Sequence, residues 1–251
     1  MKLRILSYNI HKGFTIGNRD FILREIRNAL REMNADVLFL QEVVGDHLDE
    51  KCKIPDWKTA IQFEYLADTV WPHFAYGKNA VYPEGHHGNA ILSKFPIVDW
   101  SNHVISTNKL EHRGLLKTKI HIPELDQEII LANTHLDLTQ KGRDRQTKMI
   151  IEHLLPDKDL PFVLVGDFND WNKKVSPKIE AELGAKEIFK TLHGRYPATF
   201  PSFMPMLSLD RVFIHKLEAL EAHALTDDHW RALSDHLPLY VEVGVKKIKK
   251  N

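Results

Sequence analysis

The chain has 251 residues, 43% of them hydrophobic, which is enough to bury an ordinary globular core and excludes a disordered chain. Its 34 basic and 34 acidic residues cancel, so no global field draws it to nucleic acid or to an acidic membrane, and any polyanion site has to be local. The lone cysteine, Cys52, excludes an internal disulfide framework, no apolar run approaches the roughly 20 residues of a membrane span, and the opening MKLRILSYNI leaves no room for a signal peptide, so a cytoplasmic monomer is expected.

Leu3 to Ile10 alternates as a strand, after which Phe21, Ile22, Ile26, Leu30 and Met33 recur at helical spacing and predict a helix over 19–33. Val37 to Leu40 reads as a second, buried strand. Helical spacing returns at Phe63, Leu66, Ala67 and Val70. Short strands are expected from about His73 to His135, punctuated by Pro83, Gly85, Pro96 and Pro123. Within them His86 and His87 read as a solvated loop, with a second metal site as the alternative, and Asn89 follows a glycine as turn residues do.

The second half gives a strand at Ile129 to Asn133, a helix from about Gly142 to Leu155 and a strand at Phe162 to Val165. Arg143 and Arg145 oppose the dipole near that helix's start, so a partner such as an acid is expected to hold them. YPATFPSFMPM, Tyr196 to Met206, is a proline-broken loop. Its Phe200, Phe203 and Met204 are expected to pack on the core, with contact to an apolar substrate as the alternative. The basic ending KKIKKN reads as a solvated tail.

Strand, helix and acid-tipped strand therefore occur twice. Asn9-Ile10-His11 matches Asn133-Thr134-His135 and Arg19-Asp20 matches Arg143-Asp144, both at an offset of 124 (133 − 9; 143 − 19). This order predicts an α/β chain of two related halves packed sheet on sheet with helices outside, and the absence of a Pro- or Ser-rich linker predicts one domain over 1–251.

Apolar runs end in polar residues at Asn9, Glu42, His135, Asp167 with Asn169, Asp210, and Asp235 with His236. Any one of these is most simply a turn former, a helix cap or a satisfied strand histidine. Together they are a set of oxygen donors without cysteine, which suits magnesium or manganese better than zinc. Near such an ion His236 could act as a general base, Asp210 could fix its tautomer, and His135 could hold charge on a phosphate.

These residues stand in SYNIH, LQEV, GNAILSKFPI, NTHLDL, GDFN, LDR and SDHLP, in that order from Ser7 to Pro238. In this the chain resembles the endonuclease/exonuclease/phosphatase superfamily with its deoxyribonuclease-I-like fold. The resemblance implies a four-layer α/β sandwich, two mixed sheets face to face with helices outside, and metal-dependent hydrolysis of a phosphate ester. It implies Glu42 as the main ligand of Mg2+ or Mn2+, with Asn9 and Asp235 near the ion. Asp167 and Asn169 would position the attacking water and the phosphate, His135 would contact phosphate oxygen, and His236 would be the base paired to Asp210. Asp167 is the alternative activator of water. Arg113 could grip a phosphate, and Asn89 resembles a position near the site.

Two branches fit poorly. Asp170-Trp171 follows Asn169 and Leu209 precedes Asp210, unlike the inositol-polyphosphate phosphatases, and no tyrosine lies between Tyr82 and Tyr196, unlike the apurinic endonucleases. Phosphodiester hydrolysis is expected, with a nuclease as one alternative and an inactive phosphate-binding module on the same fold as another. The substrate is left open between lipid-like, small-molecule and nucleic-acid esters.

Overall fold

A computed structural model describes residues 1–17, 19–47, 61–82, 85–108 and 112–247. Cys52 and the last four residues of the basic tail lie outside these. The described strands form two mixed six-stranded sheets. The first holds β1 (Lys2–Asn9), β2 (Val37–His47), β3 (His73–Tyr82), β4 (Gly85–Ser93), β11 (Glu218–Ala224) and β12 (Leu239–Gly244), ordered β11-β12-β1-β2-β4-β3. The second holds β5 (Ile97–Val104), β6 (Gly114–Ile122), β7 (Gln127–His135), β8 (Phe162–Asp167), β9 (Lys186–Glu187) and β10 (Asp210–His215), ordered β5-β6-β7-β8-β10-β9.

Hydrophobic burial sets the layers. The inner faces meet through Leu3, Ile5, Val37, Phe39 and Ile91 of the first sheet and Leu116, Ile129, Leu131, Val163, Val165 and Val212 of the second. The outer face of the first sheet is covered by α1 (Leu23–Glu32), α2 (Gln62–Ala67) and α6 (Asp228–Leu233), through Ile26, Leu30, Leu66 and Trp230. The outer face of the second is covered by α3 (Gln140–Leu154) and α4 (Ser176–Leu183), while α5 (Ile188–His193) adds Ile188 and Phe189 to the inner core. Covering both faces explains why Val163, Leu164 and Val165 run apolar without a break. The result is the expected four-layer α/β sandwich. Among the described residues no helix is long and apolar enough to cross a membrane.

The repeated order has a structural counterpart: β1 pairs with β2 and β7 with β8 in parallel, each pair joined through a helix. Four local expectations are corrected. The first helix begins at Leu23 rather than Arg19, because Phe21 bridges back to Phe14 and packs edge-on against its ring at 5.3 Å. Strand β2 runs on past Leu40, since bulges let its pairing with β4 resume beyond Glu42. His86, His87 and Asn89 lie on β4 and not in a loop or turn. Arg143 is fully buried and hydrogen-bonded to the carbonyls of Asp137 and Leu138 and to Gln140 Oε1, while acids, Asp170 first, act on it through charge rather than through a hydrogen bond.

Candidate active site

Every second residue of a strand faces the same way. The inward series Leu3, Ile5 therefore continues to Asn9, Ile129, Leu131 to His135, Val163, Val165 to Asp167, and Ile214, Val212 back to Asp210. At the end of each series core residues give way to polar ones, and these polar ends meet one another across the two sheets. In the second sheet Asp167 pairs with His135 on one side and with Asp210 on the other. Glu42 departs from the alternation: its neighbour Gln41 faces inward, and a bulge with Glu42 at φ 55 turns its side chain to the cleft, where Asn9 meets it.

Below the rim an amide network joins the two sheets. Gln41 Nε2 donates to Asn133 Oδ1 at 2.8 Å, and Asn133 Nδ2 donates to the carbonyls of Leu40 and Ala90, each at 2.9 Å. Asn89 belongs to this floor. It is buried, and its Nδ2 donates to Gly114 O at 3.2 Å and Asn133 O at 3.4 Å, so both its amide protons are engaged by backbone carbonyls. The close β7–β8 approach requires Gly166, whose φ is 151 and where a Cβ would lie 1.9 Å from Thr134 O.

Above this floor runs a buried chain of acid and imidazole. His236 Nδ1 lies 3.0 Å from Asp210 Oδ2, which also accepts from Thr199 Oγ1. His236 Nε2 lies 3.6 Å from Asp167 Oδ2, and His135 Nε2 reaches the same oxygen at 3.3 Å. Asn169 N donates to Asp167 Oδ1 at 3.0 Å, and its own Nδ2 is held by Leu136 O at 2.9 Å. Burial by itself would push the His236 imidazole down, but Asp210, Asp167 and Asp235 raise it to about 10. Burial raises Asp167 to about 6, against the pull of His236. His135 is held well below the ordinary imidazole value by burial, then by Arg113, His236, His87 and Lys12.

Beside this chain lies a more open group. Asp235 and Glu42 keep 24% and 21% of their side-chain surface exposed, and His11 Nδ1 lies between them, 3.5 Å from Asp235 Oδ2 and 3.9 Å from Glu42 Oε2. Asn9 Nδ2 faces Glu42 Oε1 and Asp167 Oδ2, each at 3.4 Å, while its Oδ1 accepts from His11 N. Ser234 Oγ fastens the Asp235 segment to β1 through Asn9 O at 2.7 Å. The chain Asp167, Asp210, His236 also has ligand atoms within 4.8 Å of one another, as a metal site would.

Sequence reasoning thus names most of the groups that meet here, Arg113 included, since its charge acts on His135 and His87. It misses His11 and Lys12, and it places His87 in a loop, with a second metal site as the alternative. His87 had a signal: it follows Ile91 and Asn89 in steps of two along β4 and so shares their inward face. Burial, then Lys12, lowers it to about 4. Phe200 lies against the His236 ring at 5.0 Å, whereas Phe203 and Met204 are more than half exposed at the lip. Arg211, fully buried against the Tyr196 ring, joins this loop to the one after β8 through Ser208 O and Asp170 O.

The family described as "Endonuclease/Exonuclease/phosphatase family" matches residues 6–236. A protein of Escherichia coli (strain K12), "Uncharacterized protein YbhP", is 44% identical over 242 residues, 96% of this chain and 95% of its own length. Among solved structures, the human Nocturnin catalytic domain with bound sulfate superposes with a TM-score of 0.77 at 19% identity, covering 97% of this chain and 94% of that one. A mannosyl-6-phosphatase from Bacteroides thetaiotaomicron superposes at 0.74 with 18% identity, covering 97% and 100%.

Proposed function

The chain belongs to the endonuclease/exonuclease/phosphatase family, whose members are hydrolytic phosphoesterases, and from that premise we propose that it hydrolyses phosphodiesters at this cleft with Mg2+ or Mn2+. The observation that carries the reading is the Asp210–His236 hydrogen bond with the Asp167 carboxylate 3.6 Å from the other ring nitrogen, beside an open pair of carboxylates, Glu42 and Asp235. Partly exposed carboxylate oxygens fit a hard divalent cation that keeps some of its water, and these two would hold it. When bound, it would stabilise charge on the phosphoryl oxygens by several kcal/mol, on the order known for such Lewis acids.

The remaining roles follow from protonation. Asp167, ionised above about pH 6, accepts the proton of the attacking water. His236, protonated through the neutral range by its three acids, acts as a fixed positive charge and donor rather than as the base. Asp210 holds that ring, and Asn169 N fixes the Asp167 carboxylate. Arg113 supplies charge to the phosphate near His135, which stays neutral.

The lip favours an ester carrying an apolar group. The loops after β7, after β8 and before β10 leave from paired residues, and they expose Leu138, Trp171, Phe203, Met204 and Met206. The test is a panel of phosphodiesters, phosphomonoesters, nucleic acids and phospholipids with magnesium, manganese or chelator. Metal-dependent turnover of diesters is expected. Turnover confined to nucleic acid would make the chain a nuclease, and phosphate binding without turnover of any ester would make it a binding module.

A further inference from the structure

We propose that His11 is a nitrogen ligand of the cation held by Glu42 and Asp235, so that the site has a mixed nitrogen and oxygen donor set. The inference rests on the metal-dependent reading above and concerns which atoms of this chain complete the site.

Asn9 was expected to supply an oxygen, but its Oδ1 is taken by the His11 N–H and the face it turns to Glu42 and Asp167 carries protons. A cation between Glu42 and Asp235 therefore lacks that donor. His11 offers a donor within reach of both carboxylates, with Nδ1 at 3.9 Å from Glu42 Oε2 and 3.5 Å from Asp235 Oδ2. Neighbouring ligands of an octahedral ion at about 2.1 Å are roughly 3 Å apart, so each pair need close by less than about 1 Å around an ion.

The imidazole is also aimed without another use. Its Nε2 is buried and, among the described residues, has no hydrogen-bond partner. Its Nδ1 faces two carboxylates. A lone pair aimed at two negative groups is unfavourable unless positive charge lies between them, and that charge is either a proton on Nδ1 or a metal ion. The residue takes φ 44 and the next φ 58, two successive left-handed residues that are uncommon outside glycine, where the chain turns after β1. His11, Glu42 and Asp235 come from the turn after β1, from β2 and from the segment before β12, so the site is assembled only by the fold.

A nitrogen donor raises the site's preference for manganese over magnesium relative to an all-oxygen site. The test uses the full chain with Mn2+ as the probe, read by electron spin echo modulation for imidazole nitrogen coupling and by calorimetric titration with Mn2+ and Mg2+. We expect nitrogen coupling in the wild type and its loss in His11→Asp. The manganese affinity of the His11 variants should fall by roughly tenfold or more, the cost of losing even an outer partner, and the manganese-to-magnesium affinity ratio of His11→Asp should fall with it. His11→Gln serves as a second variant, and thermal melting checks both for folding.

Mn2+ bound without nitrogen coupling, yet weakened by Glu42→Gln, would show that the imidazole only carries a proton there; the inference falls and the metal site stands. Coupling that persists in both His11 variants would place another histidine, such as His236, on the metal, and the inference falls with it. Failure of the wild type to bind either cation would remove the metal-dependent reading as well.

Discussion

His236 Nδ1 lies 3.0 Å from Asp210 Oδ2, with both side chains almost fully buried at the mouth of the cleft between the sheets. On the proposed reading this contact couples the roles of the two residues. Asp210→Asn and His236→Ala should each lower turnover roughly 10² or more, the range of general acid–base catalysis. The double variant should lose little beyond the worse single one, because an orienting acid is redundant once its ring is gone. Multiplicative losses, measured in a double-mutant cycle at saturating metal, would instead make Asp210 an independent participant.

The pH profile separates Asp167 from His236 as the proton acceptor. Burial raises Asp167 to about 6 and the surrounding acids raise His236 to about 10. If Asp167 accepts the proton and charged His236 is needed, kcat/KM rises through about pH 6, stays level, and falls near pH 10. A profile that is still climbing between pH 8 and 10 would return the base role to His236. Asp167→Asn should lose roughly 10² or more at every pH in this range.

Metal removal gives the third expectation. Exhaustive chelation should abolish turnover, and added magnesium or manganese should restore it. Glu42→Gln keeps the shape of a partly exposed side chain while removing its charge, so it should weaken metal binding without lowering the melting temperature. An unchanged metal titration for this variant would exclude Glu42 as a ligand.

Gly166 tests how the floor sets the site. A side chain there meets Thr134 O at 1.9 Å and has to adopt φ 151, which L residues avoid. Gly166→Ala should cost roughly 3 kcal/mol or more in denaturant unfolding, the range of strain and overpacking in a core. Whatever folded fraction remains should lose activity, because the displaced backbone carries Asp167. Near-wild-type stability would mean that the two strands are free to separate.

Glu187 offers a measurement away from the cleft. It caps α5 by accepting from Lys190 N at 2.7 Å, and burial raises it from 4.5 to about 7 despite that bond. A carboxyl raised by folding stabilises the native state below its unfolded value and loses that contribution as pH rises through its folded value. Stability should therefore fall between about pH 4.5 and 7, by on the order of 3 kcal/mol at most. Glu187→Gln should flatten that part of the curve in denaturant titrations at pH 5 and 8. An unaltered slope would assign the dependence to other groups.

Much of the fold could be read from the sequence for a physical reason. Side chains alternate along a strand, so runs such as Val163 to Val165 announce burial on both faces, and the polar residue two positions beyond a core residue has to lie on the same side as that core. Asp167, Asp210 and His135 were legible in this way. Helix ends and bulges were less so: Phe21 bridges to Phe14 rather than joining α1, and β2 continues past Glu42 by bulging.

The sequence by itself determined the layered α/β class, the polar strand ends and the oxygen-rich chemistry they carry. The tertiary structure alone decided which atoms face one another there. Asn9 and Asp167 are separated by 158 positions, and Ser234 reaches Asn9 across 225. The left-handed turns at His11 and Glu42 arise where no regular period exists to predict a direction. Alternation is local and leaves its mark in composition. The orientation of Asn9 toward two acids, and the placing of His11 between Glu42 and Asp235, depend on strands that meet only when hydrophobic burial closes the two sheets on each other.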